Sequence, residues 1–321
     1  MRLVSIALML AGILAAQSNI ALVGAGYVNP IPVRVAPGQV VTFFLTGMKT
    51  VLPPPFRAER APPVPLPATL AGISATIHQS GPNTWLPVPI FSVDQINTCG
   101  DSADASPNCL LTAVMLQIPF EVVPRDPLSM GALDLIGTTE ISFTENGEAG
   151  ESFRLSPVLD NIHVLTNCGD ARMDDYGALP CQSMVTHADG SLVSLVGQAA
   201  KPGEDLVIYA YGLGSTNPGV KSGEASPVAG IAAPVRIDLD FRPNAGPSRL
   251  RSNLGFGPTA ANKATYVGLV PGSVGLYQVN FRVPQPPAGT PRCGSGMDSN
   301  LTVTIQGAQS LDAARLCVET Q

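Results

Sequence analysis

The chain has 321 residues, of which 45% are hydrophobic and 13% charged, and it contains 32 glycines and 31 prolines. This apolar, turn-rich composition excludes a disordered chain and favours many short strands over long helices. The formal net charge of -6 at pH 7 argues against a nucleic-acid partner, because phosphate binding requires clustered lysine and arginine.

The N-terminus has the pattern of a signal peptide. Arg2 is followed by an apolar core from Leu3 to Ala16, and small and polar residues come next. Cleavage is predicted after Ser18, with cleavage after Ala16 as the alternative. A membrane anchor would need about 20 apolar residues, and the polar run that begins at Gln17 ends the segment too early. We therefore predict a signal peptide over residues 1–18 and a mature protein that is secreted or held in the cell envelope or periplasm, with no membrane span.

Self-comparison reveals an internal repeat. Residues 36–48 (APGQVVTFFLTGM) align without gaps on residues 201–213 (KPGEDLVIYAYGL). Apolar residues alternate in both copies, at positions 41, 43 and 45 and again at 206, 208 and 210. A period of two with one apolar face predicts a half-buried strand in each copy.

Four more segments repeat in the same order. Residues 70–77 correspond to 232–239, 92–97 to 275–280, 117–119 to 282–284, and 141–158 to 303–318. The last pair predicts a hairpin in each copy, with its turn near Gly147 or Gly307. Short strands separated by glycine and proline are typical of a β-sandwich. We predict an all-β fold of two tandem immunoglobulin-like β-sandwich domains, at residues 19–158 and 159–321.

A Gly-Leu-Gly sequence at residues 212–214 follows the second copy of the strand. It is either a phosphate-binding loop or a turn that ends the strand. Gly214 has no counterpart in the first copy, and Asn217 stands where a dinucleotide fingerprint has its third glycine. No helical pattern follows that could present its N-terminus to a phosphate. We interpret these glycines as the end of a strand and expect no cofactor.

Six cysteines are present, and in an exported protein they predict disulfides. Pairing neighbours along the chain gives Cys99 with Cys109, Cys168 with Cys181, and Cys293 with Cys317, although six cysteines allow fifteen pairings. A zinc site is the rival interpretation, but the chain has no Cys-x-x-Cys and its three histidines are widely spaced. We predict three disulfides that brace loops.

Six segments, taken in order, resemble the uncharacterised secreted C-terminal domain family of acidobacterial exported proteins: PGQVVTFFLTGM, LPATLAGISATI, DQIN followed by IPFEV, THADGSLV, AAKPGEDLVIYAYGLGSTNP and GLYQVNFRVP. The resemblance covers nearly all of the chain after the signal peptide and implies export and tandem immunoglobulin-like sandwiches. It implies no activity, because the family has no established catalytic or binding residues. The chain departs from the family in a cysteine-bearing insert after Asn97, a longer proline loop at 52–67 and the segment 167–181.

Two features are candidate sites. Trp85, the single tryptophan, lies in a proline-rich turn, where an exposed indole would bind a sugar or anchor a protein and a buried one would pack on the proline loop. Asp170, Asp174 and Asp175, with Asp189 after them, offer oxygen ligands for calcium or an acid pair for hydrolysis, although the EF-hand spacing is missing. The alternative is a solvated acidic loop held by a disulfide.

His187, Asp189 and Ser191 are too close in sequence to form a catalytic triad, whose members come from separate elements. Amide pairs recur as Gln95 with Asn97 and as Gln278 with Asn280. Because they recur, we predict that these amides satisfy backbone groups of neighbouring loops.

We therefore predict a non-catalytic binding, adhesion or structural module that recognises a protein or glycan at the cell surface or outside the cell. A secreted hydrolase acting on glycan or peptide is the alternative.

Overall fold

A computed structural model of the chain describes residues 20–25, 33–54, 56, 64–100, 106–125, 136–167, 181–194, 197–247, 264–294 and 296–320. Within these residues the chain is all-β, as predicted. We refer to residues up to 158 as the first half and to residues from 159 onward as the second half.

The first half contains ten strands and a single-turn 3-10 helix at Pro107–Cys109 in its described residues. The strands are β1 (Ala21–Ala25), β2 (Val33–Val35), β3 (Val40–Thr46), β4 (Thr69–Leu70), β5 (Ile73–Gln79), β6 (Thr84–Pro87), β7 (Ile90–Asn97), β8 (Leu110–Gln117), β9 (Thr139–Glu145) and β10 (Glu148–Pro157). They form two sheets with the strand orders β1-β3-β8-β7 and β2-β10-β9-β5-β4, and β6 also pairs with β5.

The second half likewise contains ten described strands. These are β11 (His163–Val164), β12 (Val185–His187), β13 (Asp205–Tyr211), β14 (Thr216–Asn217), β15 (Gly230–Ile231), β16 (Arg236–Asp240), β17 (Tyr266–Leu269), β18 (Tyr277–Arg282), β19 (Leu301–Gln306) and β20 (Leu311–Leu316). One sheet has the order β11-β13-β18-β17-β15-β14, with β12 also paired to β13, and the other has the order β16-β19-β20.

Each half has its own hydrophobic core between its two sheets. In the first half Phe43 of β3 meets Phe143 of β9 with ring centroids 5.6 Å apart, so the two sheets face each other. In the second half Ile208 of β13 and Val303 of β19 are fully buried in a shared core. The first core draws its buried members from residues 20–155 and the second from residues 162–318.

The alternation seen in the sequence sets which face of each strand is buried. Along β5 the side chains of Ile73, Ala75 and Ile77 are at most 2% exposed, and the residues between them are partly exposed. Successive side chains of a strand point to opposite faces, so one apolar set is enough to orient it. The predicted inward faces of β3 and β13 are confirmed, because residues 41, 43, 45, 206, 208 and 210 are all buried.

Strand registers test the predicted correspondences between the two halves. Ile77 pairs with Ile141 and Leu239 pairs with Val303, so segments 70–77 and 141–158 are placed like segments 232–239 and 303–318. Both predicted hairpins form, as β9–β10 and β19–β20. Gly38 N donates to Ile118 O and Gly203 N donates to Val283 O, so residues 117–119 and 282–284 also occupy matching places.

One correspondence is wrong. Residues 275–280 lead into β18, which pairs directly with β13, but the strand that pairs in this way with β3 is β8, not the segment 92–97. That segment belongs to β7, which lies at the edge of its sheet. Gln-x-Asn recurs in two strands with different neighbours, and an alternating pattern by itself does not distinguish a central strand from an edge strand.

The two glycines after β13 allow the chain to turn. Gly212 and Gly214 have φ angles of 77° and 86°, in the left-handed region that side chains disfavour. A Cβ atom at Gly212 would lie 2.0 Å from the carbonyl oxygen of Asn161, and one at Gly214 would lie 2.1 Å from that of Leu159. Their role as the end of a strand is confirmed.

Two of the three predicted disulfides are confirmed, Cys99–Cys109 and Cys293–Cys317. The first closes the insert after β7, and the second ties the end of β20 to the preceding loop. The third prediction involves Cys168, which lies outside the described residues. Among described residues, no helix has the length and apolar character needed to cross a membrane.

Among the described residues, hydrogen bonds join the two halves at the β19–β20 turn and around Gly223, and Asn161 Nδ2 also donates to Arg34 O at 3.1 Å. At the β19–β20 turn, Gln309 Nε2 donates to Arg125 O at 2.9 Å and the Arg34 guanidinium donates to Gln309 O at 3.1 Å. On another part of the junction, Gly223 N donates to Gln117 Oε1 at 2.7 Å and Leu66 N donates to Gly223 O at 2.8 Å. The segment around Gly223 is thus held against the first half.

Candidate functional site

Trp85 is the most exposed aromatic side chain among the described large hydrophobic residues. It lies on the short strand β6, and 63% of its surface is exposed. Its cross-strand partner on β5 is His78, whose ring stacks on the indole with centroids 4.0 Å apart and planes 14° apart. Because one face of the indole is covered and the side chain is still mostly exposed, its other face is open to solvent. The exposed alternative for Trp85 is therefore the one observed.

His78 is itself positioned by a turn residue. Its Nε2 lies 3.4 Å from Oδ1 of Asn83, a residue with a φ of 50° in the turn between β5 and β6. This contact links the imidazole to the turn. The imidazole then supports the indole from one side, which reduces the side-chain entropy that Trp85 would lose on binding.

Strand β6 pairs with one neighbour only among the described strands, β5, and it forms a blunted edge. Val88 N donates to Ala75 O, so the amides at 84, 86 and 88 point toward β5 and those at 85, 87 and 89 point outward. Pro87 and Pro89 have no N–H. Pro89 lies beyond β6 and its carbonyl accepts from Gln117 N at 2.9 Å, so of the two outward positions within β6, Trp85 and Pro87, only Trp85 has an N–H to offer an added strand.

A groove of about 350 Å³ lies at the junction of the two halves, where the C-terminal end of β6 meets the segment around Gly223. Its apolar lining includes Leu66, Leu86, Pro87, Pro89 and Pro119. A volume of this size is at the lower end of the range for small-molecule sites, which often lie between domains. The groove and Trp85 are adjacent, since Leu86 and Pro87 directly follow the indole in the chain.

The polar end of the groove carries charges of both signs. Ser222 Oγ donates to Glu121 Oε2 at 2.5 Å and accepts from Phe120 N at 2.8 Å. Lys221 Nζ lies 2.9 Å from Oε1 of Glu224, and this carboxylate raises the pKa of Lys221. Glu121 and Lys221 line the groove, and Glu224 lies against Lys221, so this end of the groove has no excess of positive charge.

The acidic candidates are only partly described. Asp170, Asp174 and Asp175 lie outside the described residues, so their calcium and hydrolase interpretations stay predictions. Asp189 is described: its Oδ1 accepts from Ser191 N at 3.0 Å and from Ser191 Oγ at 2.7 Å. These hydrogen bonds lower the pKa of the Asp189 carboxyl group, and they give it a local role in closing a turn.

His187 is directed away from this turn. Its Nδ1 lies 3.2 Å from Oε2 of Glu204 and its Nε2 lies 3.3 Å from Gln198 O. The Ser191 hydroxyl is bonded to Asp189 rather than to an imidazole, so the order of a catalytic triad is not present here. In the described part of the chain, no group of three or more His, Cys, Asp or Glu side chains is placed to hold a metal ion.

The predicted structural role of the recurring amides is confirmed at Gln95. Its side chain accepts from Leu52 N at 2.7 Å and donates to Thr50 O at 2.8 Å, so it fixes the start of the proline loop. Asn97 Oδ1 accepts from Cys99 N at 2.9 Å. In the second half, the buried Oδ1 of Asn280 accepts no hydrogen bond from the described residues, and the structural role of that amide stays a prediction.

Sequence reasoning found Trp85 but missed the groove. The groove brings together residues from 66 to 222, and no local pattern marks such distant positions as neighbours. The prolines at 87 and 89 were a visible signal, because proline in a strand predicts an edge. A scan against protein-family models finds none that matches this chain, and a search of curated proteins finds no match.

Proposed function

We propose that this chain is an exported, non-catalytic binding module made of two tandem immunoglobulin-like β-sandwiches, which recognises a protein or glycan outside the cell through Trp85. One observation carries the proposal: a solvent-exposed indole that is stacked on His78 and adjoins an apolar groove. Aromatic side chains of this kind dominate binding energies when a ligand covers them, and exposed apolar surface next to a groove marks interaction sites.

Export is supported by the signal-peptide pattern of residues 1–18 and by the two disulfides. Disulfides persist in oxidising compartments and are rare in the cytosol. The resemblance to a family of exported proteins points the same way. On this proposal the mature protein acts at the cell surface, in the envelope or outside the cell.

The tandem arrangement is supported by the two separate cores and by the three matched segments described above. In each half two sheets enclose one core, the layer architecture of a β-sandwich. The first half presents Trp85, and the second half supplies Lys221 and Ser222 to the groove. The binding surface on this proposal therefore depends on both halves.

Binding of the mature protein to envelope material of the producing organism tests the proposal. We expect saturable binding that Trp85→Ala weakens about tenfold, the effect of losing roughly 1.4 kcal/mol at a buried anchor. Leu192→Ala is the matched control, since Leu192 is an apolar side chain that is 46% exposed and does not line the groove. The absence of saturable binding, or equal binding by the Trp85→Ala variant, would contradict the proposal.

A further inference from the structure

The edge of the first half that contains β6 offers a ligand two kinds of contact in a fixed order. The open face of Trp85 comes first, the rings of Pro87 and Pro89 follow in the groove, and Glu121, Lys221 and Ser222 lie at its polar end. Trp85 and Pro87 are two residues apart on one strand, so their side chains share a face about 7 Å apart. The site is therefore elongated along the strand.

The orientation of the indole plane determines on which side of the sheet a stacked ligand ring can lie. Because His78 of β5 covers the inner face of the indole, the open face is directed away from β5, beyond the edge of the sheet. A ring that stacks there lies at the side of the sheet and not on top of it. A chain of such rings would then run parallel to β6 toward the groove.

A polypeptide strand fits this edge poorly. Strand addition depends on main-chain hydrogen bonds to an exposed edge, and of the two outward positions within β6, 85 and 87, the second is proline and donates none. The edge instead presents the flat aromatic surface of Trp85 and the C–H groups of Pro87, and the hydrogen-bond donors and acceptors of the groove follow them. A ligand suited to it alternates apolar ring faces with hydroxyl groups.

We propose that this edge binds a neutral, linear, β-linked polysaccharide, with one pyranose ring stacked on the open face of Trp85 and the following rings in the groove. The axial C–H groups of a pyranose ring carry partial positive charge and match the negative face of an aromatic ring. Hydroxyl groups both donate and accept, as the carboxylate, ammonium and hydroxyl groups of the polar end require. The carboxylates of Glu121 and Glu224 outnumber the ammonium group of Lys221 at this end, which favours a neutral sugar over a uronate chain.

This inference rests on the proposed function and narrows it to one ligand class. Since Trp85 is the single tryptophan of the chain, its fluorescence reports on the site directly. The probes are cellohexaose and chitohexaose as neutral β-linked chains, polygalacturonate as an anionic chain, and glucose as a single ring. We expect a saturable blue shift and protection from acrylamide quenching with at least one neutral hexasaccharide, and an affinity at least tenfold lower for glucose and polygalacturonate.

Two variants separate this site from a general effect on folding. By calorimetry, Trp85→Ala is expected to lose at least tenfold in affinity, and Pro87→Ala, which adds an outward N–H, is expected to weaken the glycan a few-fold. Leu192→Ala is the control and should bind as the wild type does. Stronger binding of envelope material by Pro87→Ala would instead indicate strand addition and overturn the inference.

Envelope material treated in two ways distinguishes the failure of this inference from the failure of the proposed function. Trp85-dependent binding that survives protease but is lost after periodate oxidation of the glycan supports the inference. Binding that is lost after protease and survives periodate overturns it and leaves the proposed function standing with a protein partner. If untreated envelope material shows no saturable binding and no hexasaccharide shifts the fluorescence, both proposals fail.

Discussion

Asp160 is expected to be a main source of stability for the second half. Its side chain is 3% exposed and accepts from the backbone N–H groups of Ala308 at 2.6 Å, Gln309 at 3.1 Å and Ser310 at 2.7 Å. The Ser310 hydroxyl also donates to it, at 2.5 Å. One carboxylate thus holds the β19–β20 turn against the start of the second half.

The effect of Asp160→Asn follows from this geometry. Asparagine retains one acceptor oxygen and directs an NH2 group at the N–H donors that faced the other oxygen, so about two of the hydrogen bonds are lost. Hydrogen bonds to charged groups contribute about 1.5–3 kcal/mol each, but those of one network do not add fully, and Ala308 of this turn is exposed. We expect a loss of about 3 kcal/mol, which lowers Tm by roughly 6–12 °C for a unit of this size.

Thermal unfolding followed by circular dichroism and calorimetry measures this loss. Asp189→Asn is the matched control: it makes the same chemical change at a carboxylate that also closes a turn but is exposed, and it should leave Tm almost unchanged. If Asp160→Asn and Asp160→Ala both melt within about 1 °C of the wild type, the reasoning is refuted, since a buried acceptor of this kind cannot be lost without cost.

Three further predictions concern pH, disulfides and backbone geometry. Burial lowers the pKa of His163 to about 4, so between pH 6.5 and pH 4 the unfolded chain binds a proton that the folded chain does not. The free energy of unfolding should therefore fall by about 2 kcal/mol from pH 7 to pH 5, and urea unfolding of the His163→Gln variant should lack this fall. Replacing Cys293 and Cys317, which are 24 residues apart, by serine should cost about 3 kcal/mol, and a reduced wild type with an unchanged urea midpoint would contradict this. Gly212→Ala should lose more than about 3 kcal/mol or fail to fold, because its Cβ would meet a backbone oxygen. Gly190→Ala, with a φ of 85° but open space around it, should lose only about 1 kcal/mol from backbone strain, and equal losses for the two variants would argue against the steric reason.

Much of the strand layout could be predicted because it depends on neighbours in the chain. The alternation of Ile73, Ala75 and Ile77 identifies the buried face of β5, and the Asn-Gly turn at 146–147 identifies the β9–β10 hairpin, with φ angles of 51° and 85°. Both signals act over a few residues. The cysteine pairs 99–109 and 293–317 were predictable for the same reason, since each closes a short loop.

The one wrong correspondence concerns the position of a strand within its sheet, which local alternation does not predict. Segments 92–97 and 275–280 have similar letters, but the first forms the edge strand β7 and the second leads into the central strand β18. Pairing between strands is decided by packing of whole sheets, which residue alternation does not encode.

Some features of the candidate site could be predicted from local sequence and others could not. The sequence by itself determined that the chain is all-β, that glycines at 212 and 214 end a strand, and that Trp85 stands in a turn-rich region beside prolines. Only the tertiary structure decided that the indole is exposed and supported by His78, and that Pro87 is close to Lys221 across the junction. The physical reason is that local conformation depends on interactions along the chain. The exposure of the indole depends on what the rest of the fold leaves uncovered, and the groove depends on contacts among residues more than a hundred positions apart.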